Sequence, residues 1–273
     1  MDATLSTDGS HPRLRFERHL SHPVDKVWRA ITEPEGLSAW FPAAVAVDGV
    51  ELTFTFPDGS TSSGTVTTLT LNQRFTFVWE GETLDFTVTP TDAGTLLVFT
   101  HHFADRAGAA SFAAGWDGCL AALVHTLDGS PLPVHDWAAA HERYAARFDL
   151  LRGTAEPDPD GTWRVHFERQ LTAPAAAVAP RLAAITPLPA TTSDTGLRAE
   201  HDGQTVHIDL SPGPGGARLR LTHAGLAEPD LVATLVHWHT AIHGLAADLM
   251  GTTPTPETDL GSRYRTATGG QLP

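Results

Sequence analysis

Along the first half of the chain, apolar residues alternate with polar ones over long stretches, interrupted by segments of helical spacing. Leu14, Phe16, Arg18 and Leu20 share one face of a strand running from about Arg13 to Leu20. Pro23 then opens a helix at a position where its missing N–H costs little, and Val24, Val27, Trp28 and Ile31 follow at helical spacing. Pro34 ends that helix, and a second short one carries Leu37, Trp40 and Phe41. From about Ala44 to His102 the period falls to two. Leu52, Phe54 and Phe56 alternate with polar residues, as do Phe75, Phe77 and Trp79, and then Leu84, Phe86 and Val88. Asp48-Gly49 and Asp58-Gly59 supply hairpin-turn chemistry between such runs. Alternation of this kind predicts an antiparallel sheet with one buried face. From about Ala109 to Leu127, Phe112, Trp116, Leu120, Leu123 and Leu127 form one stripe of a long helix, the natural cover for that face.

The pattern then repeats. Leu14-Arg15-Phe16-Glu17-Arg18-His19-Leu20 returns as Val165-His166-Phe167-Glu168-Arg169-Gln170-Leu171, and Leu97-Val98-Phe99-Thr100-His101 as Leu219-Arg220-Leu221-Thr222-His223. A helical stretch follows each, anchored by Trp116 or Trp238 and closed by Gly129 or Gly251. The spacing between the two landmarks is shorter in the second half, so several middle strands and the second short helix lack counterparts. The reading is a complete unit at 13–129, a helical connector and linker at 130–161, a shortened second copy at 162–251 and an extended tail at 252–273. Residues 1–12 read as polar and loose.

Composition narrows the function classes. At 273 residues and 41% hydrophobic content the chain can build about two cores. Eighteen Lys and Arg against 32 Asp and Glu give a net charge of −14, which argues against nucleic acid and anionic membrane surfaces as partners. The lone Cys119 permits no internal disulfide and reads as a small buried hydrophobe. No run is read as approaching a membrane span, and a cytoplasmic location is expected.

The opening motifs Phe16-Glu17-Arg18, Pro23 to Pro34 and Leu37-Ser38-Ala39-Trp40-Phe41, with the closing Ala114-Gly115-Trp116-Asp117-Gly118-Cys119-Leu120, resemble the SRPBCC (START, helix-grip) superfamily. The nearest branch is the one named after the activator of the heat-shock-protein ATPase. The resemblance covers most of residues 13–129. It implies an α+β fold, an antiparallel sheet gripping a long C-terminal helix with a cavity between them. It also implies a hydrophobic small molecule as the partner. Activity does not follow from fold alone.

The two halves differ in what could line such a cavity. Residues 13–129 hold 14 aromatic side chains and residues 163–251 hold three. One cavity is therefore expected, in the first unit, lined by Trp40, Phe54, Phe56, Phe77, Trp79, Phe86, Phe99, His101, Trp116 and Leu120. His101 is the one candidate acid–base group; its counterpart His223 equally fits a structural role. Glu17 and Arg18 read as scaffold because they recur, and Asp85 and Asp117 as solvated carboxylates. His239 and His243 have zinc-compatible spacing but lack further ligands, so no metal is assigned, and no cofactor. No nucleophile elbow or phosphate loop is present. Binding of a hydrophobic metabolite for sequestration or transport leads. A cyclase or dehydratase of specialised metabolism, and a co-chaperone-like interaction module, are the alternatives. The missing strands leave a sheet edge that invites pairing, within the molecule or in a homodimer.

Overall fold

The computed structural model describes residues 2–8, 11–132, 134–254 and 256–268. It is α+β and falls into two compact units, residues 1–140 and 141–273.

The first unit is an eight-stranded antiparallel sheet with three helices. β1 (Thr4–Asp8) and β2 (His11–Leu20) form a hairpin. Two helices follow, α1 (Val24–Thr32) and α2 (Pro34–Ser38). A meander then runs through β3 (Ala44–Asp48), β4 (Glu51–Thr55), β5 (Thr61–Thr70), β6 (Arg74–Trp79), β7 (Glu82–Thr91) and β8 (Gly94–His102). α3 (Ala109–Asp128) closes the unit. The sheet order is β1-β2-β8-β7-β6-β5-β4-β3, so the meander returns to lie beside β2. The loose N-terminus expected from the sequence is instead the edge strand β1, paired from Thr4↔Arg15 to Asp8↔His11. Its polarity is that of an edge, where one side stays hydrated.

Local chemistry sets the elements. Glu33 stands in an extended conformation before Pro34, which separates α1 from α2. Trp40 and Phe41 follow α2 in a turn, and the Trp40 indole donates to the Ala30 carbonyl at 2.9 Å, tying that turn to α1. Gly129 adopts φ +65 beyond α3, and the Ser130 N–H reaches the His125 carbonyl, a left-handed C-terminal stop. The alternating residues Leu14, Phe16, Phe54, Phe77, Phe86 and Phe99 are all buried, with Trp116, Leu120, Leu123 and Leu127 of α3 above them. Across that interface the half-buried Arg18 pairs with Asp117 at 2.7 Å, so Asp117 is a cross-brace rather than a solvated carboxylate. Asp85 likewise takes hydrogen bonds from Arg74 and Thr76.

Residues 106–128 are long and apolar enough to cross a membrane by length and composition, at a mean hydropathy of 1.3, which the sequence reading did not anticipate. Alanines and leucines raise that mean; in the fold half of the window is buried within the protein.

The second unit repeats the order with fewer strands. α4 (Trp137–Arg147) spans the boundary, and its His141 lies within hydrogen-bond reach of the Gln170 carbonyl at 3.2 Å, while Glu142 pairs with Arg169. β9 (Thr154–Pro157) and β10 (Trp163–Leu171) pair as β1 and β2 do. A short α5 (Ala175–Val178) and a 3-10 turn precede β11 (Ala190–Ser193), β12 (Gly196–His201), β13 (Gln204–Gly213) and β14 (Gly216–Leu226). α6 (Leu231–Leu249) closes the sheet, and α7 (Leu260–Thr268) follows. Read from β9, the sheet order is β9-β10-β14-β13-β12-β11. This is the first sheet's order without its last two strands, and it agrees with a shortened copy.

The tail expected to be extended is helical in α7, because Tyr264 is buried at 3% exposure and its hydroxyl meets Gly153 N–H and His239. His239 also contacts Glu257, so it serves this tertiary lock. The last residues of the tail, 269–273, lie outside the described residues.

Candidate functional site

The expected lining residues do not surround one space. Trp40, Phe54, Phe77, Phe86, Phe99 and Leu120 are almost wholly buried. Their rings pack on one another: Phe86–Phe99 and Phe99–Trp116 both have centroids 4.5 Å apart, and Trp40–Phe86 6.1 Å. That contact distance fills the middle of the grip with side chains. Phe56 is half-buried and stacks on Trp79. Trp79, His101 and Trp116 instead line a pocket of about 250 Å³, together with Phe41, Pro42, Glu80, Glu82, Ser111, Phe112, Gly115 and Cys119.

Besides Phe41 and Pro42, which follow α2, three elements build this pocket. The first is the β6–β7 hairpin. Glu80 (φ +51) and Gly81 (φ +84) are both left-handed, a two-residue turn that pairs Trp79 directly with Glu82. The second is the end of β8, whose His101 pairs with Leu84. Glu82 lies two residues before Leu84 on the same face, hence diagonal to His101 and within reach. The third is the stripe Phe112, Gly115, Trp116 and Cys119 on α3, at helical i, i+3, i+4, i+7 spacing. Gly115 matters because a Cβ built there meets nothing within 4 Å. Its missing side chain keeps the pocket open.

At the inner wall three side chains form a chain of hydrogen bonds. The Trp116 Nε1–H donates to His101 Nδ1 at 3.2 Å. An indole can only donate, so Nδ1 must be unprotonated and the ring proton sits on Nε2. Nε2–H then donates to Glu82 Oε2 at 2.7 Å. His101 is 3% exposed, whereas the Glu82 side chain is 31% exposed. Of the pair, the carboxylate is the more exposed group, and His101 holds it from behind. Cys119 offers no thiolate, because burial pushes its thiol up to about 12.

The second unit repeats this chain with one change. Trp238 Nε1–H donates to His223 Nδ1 at 3.0 Å, and His223 Nε2 meets Gln204 Oε1 at 3.0 Å. The separations of 15 and 19 residues equal those in the first unit. An amide stands where the first unit has a carboxylate. Burial, and then the neighbouring His237, push the His223 imidazole down to about 4. Around it the aromatic wall is gone: Phe112 corresponds to Thr234, Trp79 to His201 and Gly115 to His237. Trp238 is fully buried at 0%, against 7% for Trp116.

Phe41, Phe112 and Glu82 were not among the candidates read from sequence. The helical stripe that named Trp116 also contained Phe112. Glu82 had a signal too, in the matching separations that relate it to Gln204 across the repeat.

A sheet closed by a C-terminal helix, with a pocket under one end of that helix, defines a helix-grip domain. Residues 21–128 match the family model described as Activator of Hsp90 ATPase homolog 1-like protein. Among solved structures the chain is similar to EF2215, a conserved protein of unknown function from Enterococcus faecalis. That match has 21% identity and a TM-score of 0.48, covering 54% of this chain and 90% of that one. It is similar to an AHSA1-like protein from Aeromonas hydrophila, at 23% identity and a TM-score of 0.40, covering 45% and 96%. It is also similar to DynU16, a putative protein in the dynemicin biosynthetic locus, at 17% identity and a TM-score of 0.43, covering 87% and 97%. A comparison with curated proteins gave no match.

Proposed function

We propose that the first unit binds a hydrophobic small molecule in the pocket between the β6–β7 hairpin and α3. The observation that carries this reading is the contrast within one domain: its middle is packed ring against ring, while Phe41, Trp79, Phe112 and Trp116 stand around open volume. Aromatic walls with a few fixed polar groups are the usual build of a small-molecule site. A volume of about 250 Å³ suits a guest of one or two rings, smaller than a cavity running the length of the helix would take.

Titration of the protein with a panel of one- and two-ring compounds, read by Trp fluorescence and by ligand-observed NMR, tests this. Gly115→Leu starts from a Cβ position that meets no neighbour, puts a bulky side chain on the pocket wall, and is expected to abolish binding while leaving the circular dichroism spectrum unchanged. Equal binding by this variant and the parent protein rules the pocket out as the site.

Catalysis is the second reading, favoured by the Glu82–His101 pair. There Glu82, not His101, is the residue placed to exchange a proton with a guest, with His101 as a positioning residue. A new product formed by the parent protein and lost in Glu82→Gln supports it.

A further inference from the structure

The charge of the pocket says what kind of guest it suits. Its lining holds two carboxylates, Glu80 and Glu82, and no Lys or Arg. A broader recess of about 670 Å³ shares both carboxylates and adds His11, Thr83, His102 and Phe103, again without Lys or Arg. Glu82 therefore stands where the two spaces meet.

Its negative charge is not cancelled from within. The one partner of Glu82 among the described residues is His101, and the Trp116 N–H holds that imidazole in its neutral form by occupying Nδ1. His101 thus aims the carboxylate without compensating it. Glu82 Oε1 takes no protein hydrogen bond among the described residues, and Oε2 is the atom fixed to the ring. A carboxylate presented in a pocket lined by Phe41, Trp79, Phe112 and Trp116 combines the two attractions an organic cation feels: charge, and the quadrupole of aromatic rings. The net charge of −14 adds a long-range pull of the same sign.

We infer that the pocket selects a hydrophobic amine or ammonium compound, its apolar body against the aromatic wall and its cationic head on Glu82. This rests on the pocket reading given above. The second unit supplies the control that nature has already folded: Gln204 holds His223 as Glu82 holds His101, so Glu82→Gln keeps the internal hydrogen bond and removes only the charge.

Three probes of one shape separate charge from shape: 2-phenylethylammonium, 2-phenylethanol and phenylacetate, each titrated by calorimetry into the full chain near neutral pH. A charge-assisted hydrogen bond predicts the amine to bind about tenfold or more tighter than the alcohol, with phenylacetate weakest. In Glu82→Gln the ratio of amine to alcohol affinity is expected to fall to about twofold or less, and raising the salt concentration should narrow it in the parent protein. Equal binding of amine and alcohol to the parent protein, or an amine preference that survives Glu82→Gln, overturns the inference while leaving the pocket reading intact. Binding of none of the three overturns both.

Discussion

The two units carry the same Trp–His hydrogen bond on the same framework, and they use it differently. In the first, the pair ends on a half-exposed carboxylate beside open aromatic volume. In the second, it ends on an amide, the indole is fully buried, and Thr234 and His201 stand where Phe112 and Trp79 would be. The recurrence teaches that the Trp–His bond belongs to the scaffold, since it persists where Thr234, His201 and His237 replace Phe112, Trp79 and Gly115. What varies around it, Glu82 and the aromatic wall, is where function is to be sought.

The largest expected effect tests whether the second unit is the sealed one. Trp238→Ala leaves a cavity at a fully buried site and is predicted to cost about 3–5 kcal/mol. Trp116→Ala, one side of which already faces the pocket, should cost less. Denaturant unfolding of the two variants, followed by signals from each unit, makes the comparison. Equal losses would remove the distinction.

Acid provides the next test. His223 and His141 are both held down to about 4 in the fold, chiefly by burial. In the unfolded chain they take up protons near 6.5, so the unfolded state binds more protons between these values. The second unit is therefore fully supported above pH 6.5 and loses stability as pH falls from 6.5 towards 4, by up to about 3 kcal/mol for His141 and less for the better solvated His223. Urea midpoints measured across that window check the sign. A midpoint for the second unit that is flat, or that rises with acid, contradicts it.

Smaller effects sharpen the first unit. Gly115→Ala removes a helix-interior glycine where a Cβ meets no neighbour, and should stabilise α3 by about 0.5–1 kcal/mol in thermal unfolding. The smallest change is expected from Glu82→Gln, within about 0.5 kcal/mol, because an amide oxygen serves the same imidazole in the second unit. A larger loss would mean that the carboxylate is structural after all.

Much of this was legible in the sequence. Alternation over residues 13–20 and 44–102 gave the sheet, Pro34 and Gly129 gave the helix ends, and the recurring motifs gave the two-unit plan. β1 and β9 escaped because edge strands need no apolar alternation to be paired. α7 escaped because one buried residue, Tyr264, anchors it. The pocket was only half legible for a related reason. Period-two patterning says which face Phe54, Phe77, Phe86 and Phe99 share, but cannot say that their rings touch and fill the space. Glu82 was not singled out, since its meeting with His101 depends on the hairpin register and on the Glu80-Gly81 turn.

The indole bond to Nδ1 gives the His101 ring a direction. A proton collected at the Glu82 end has nowhere to travel on the far side, because the atom there already accepts a hydrogen from a group that never yields it. The imidazole is a terminus and not a conduit, so any proton traffic must enter and leave through the open side of the pocket, past Glu82.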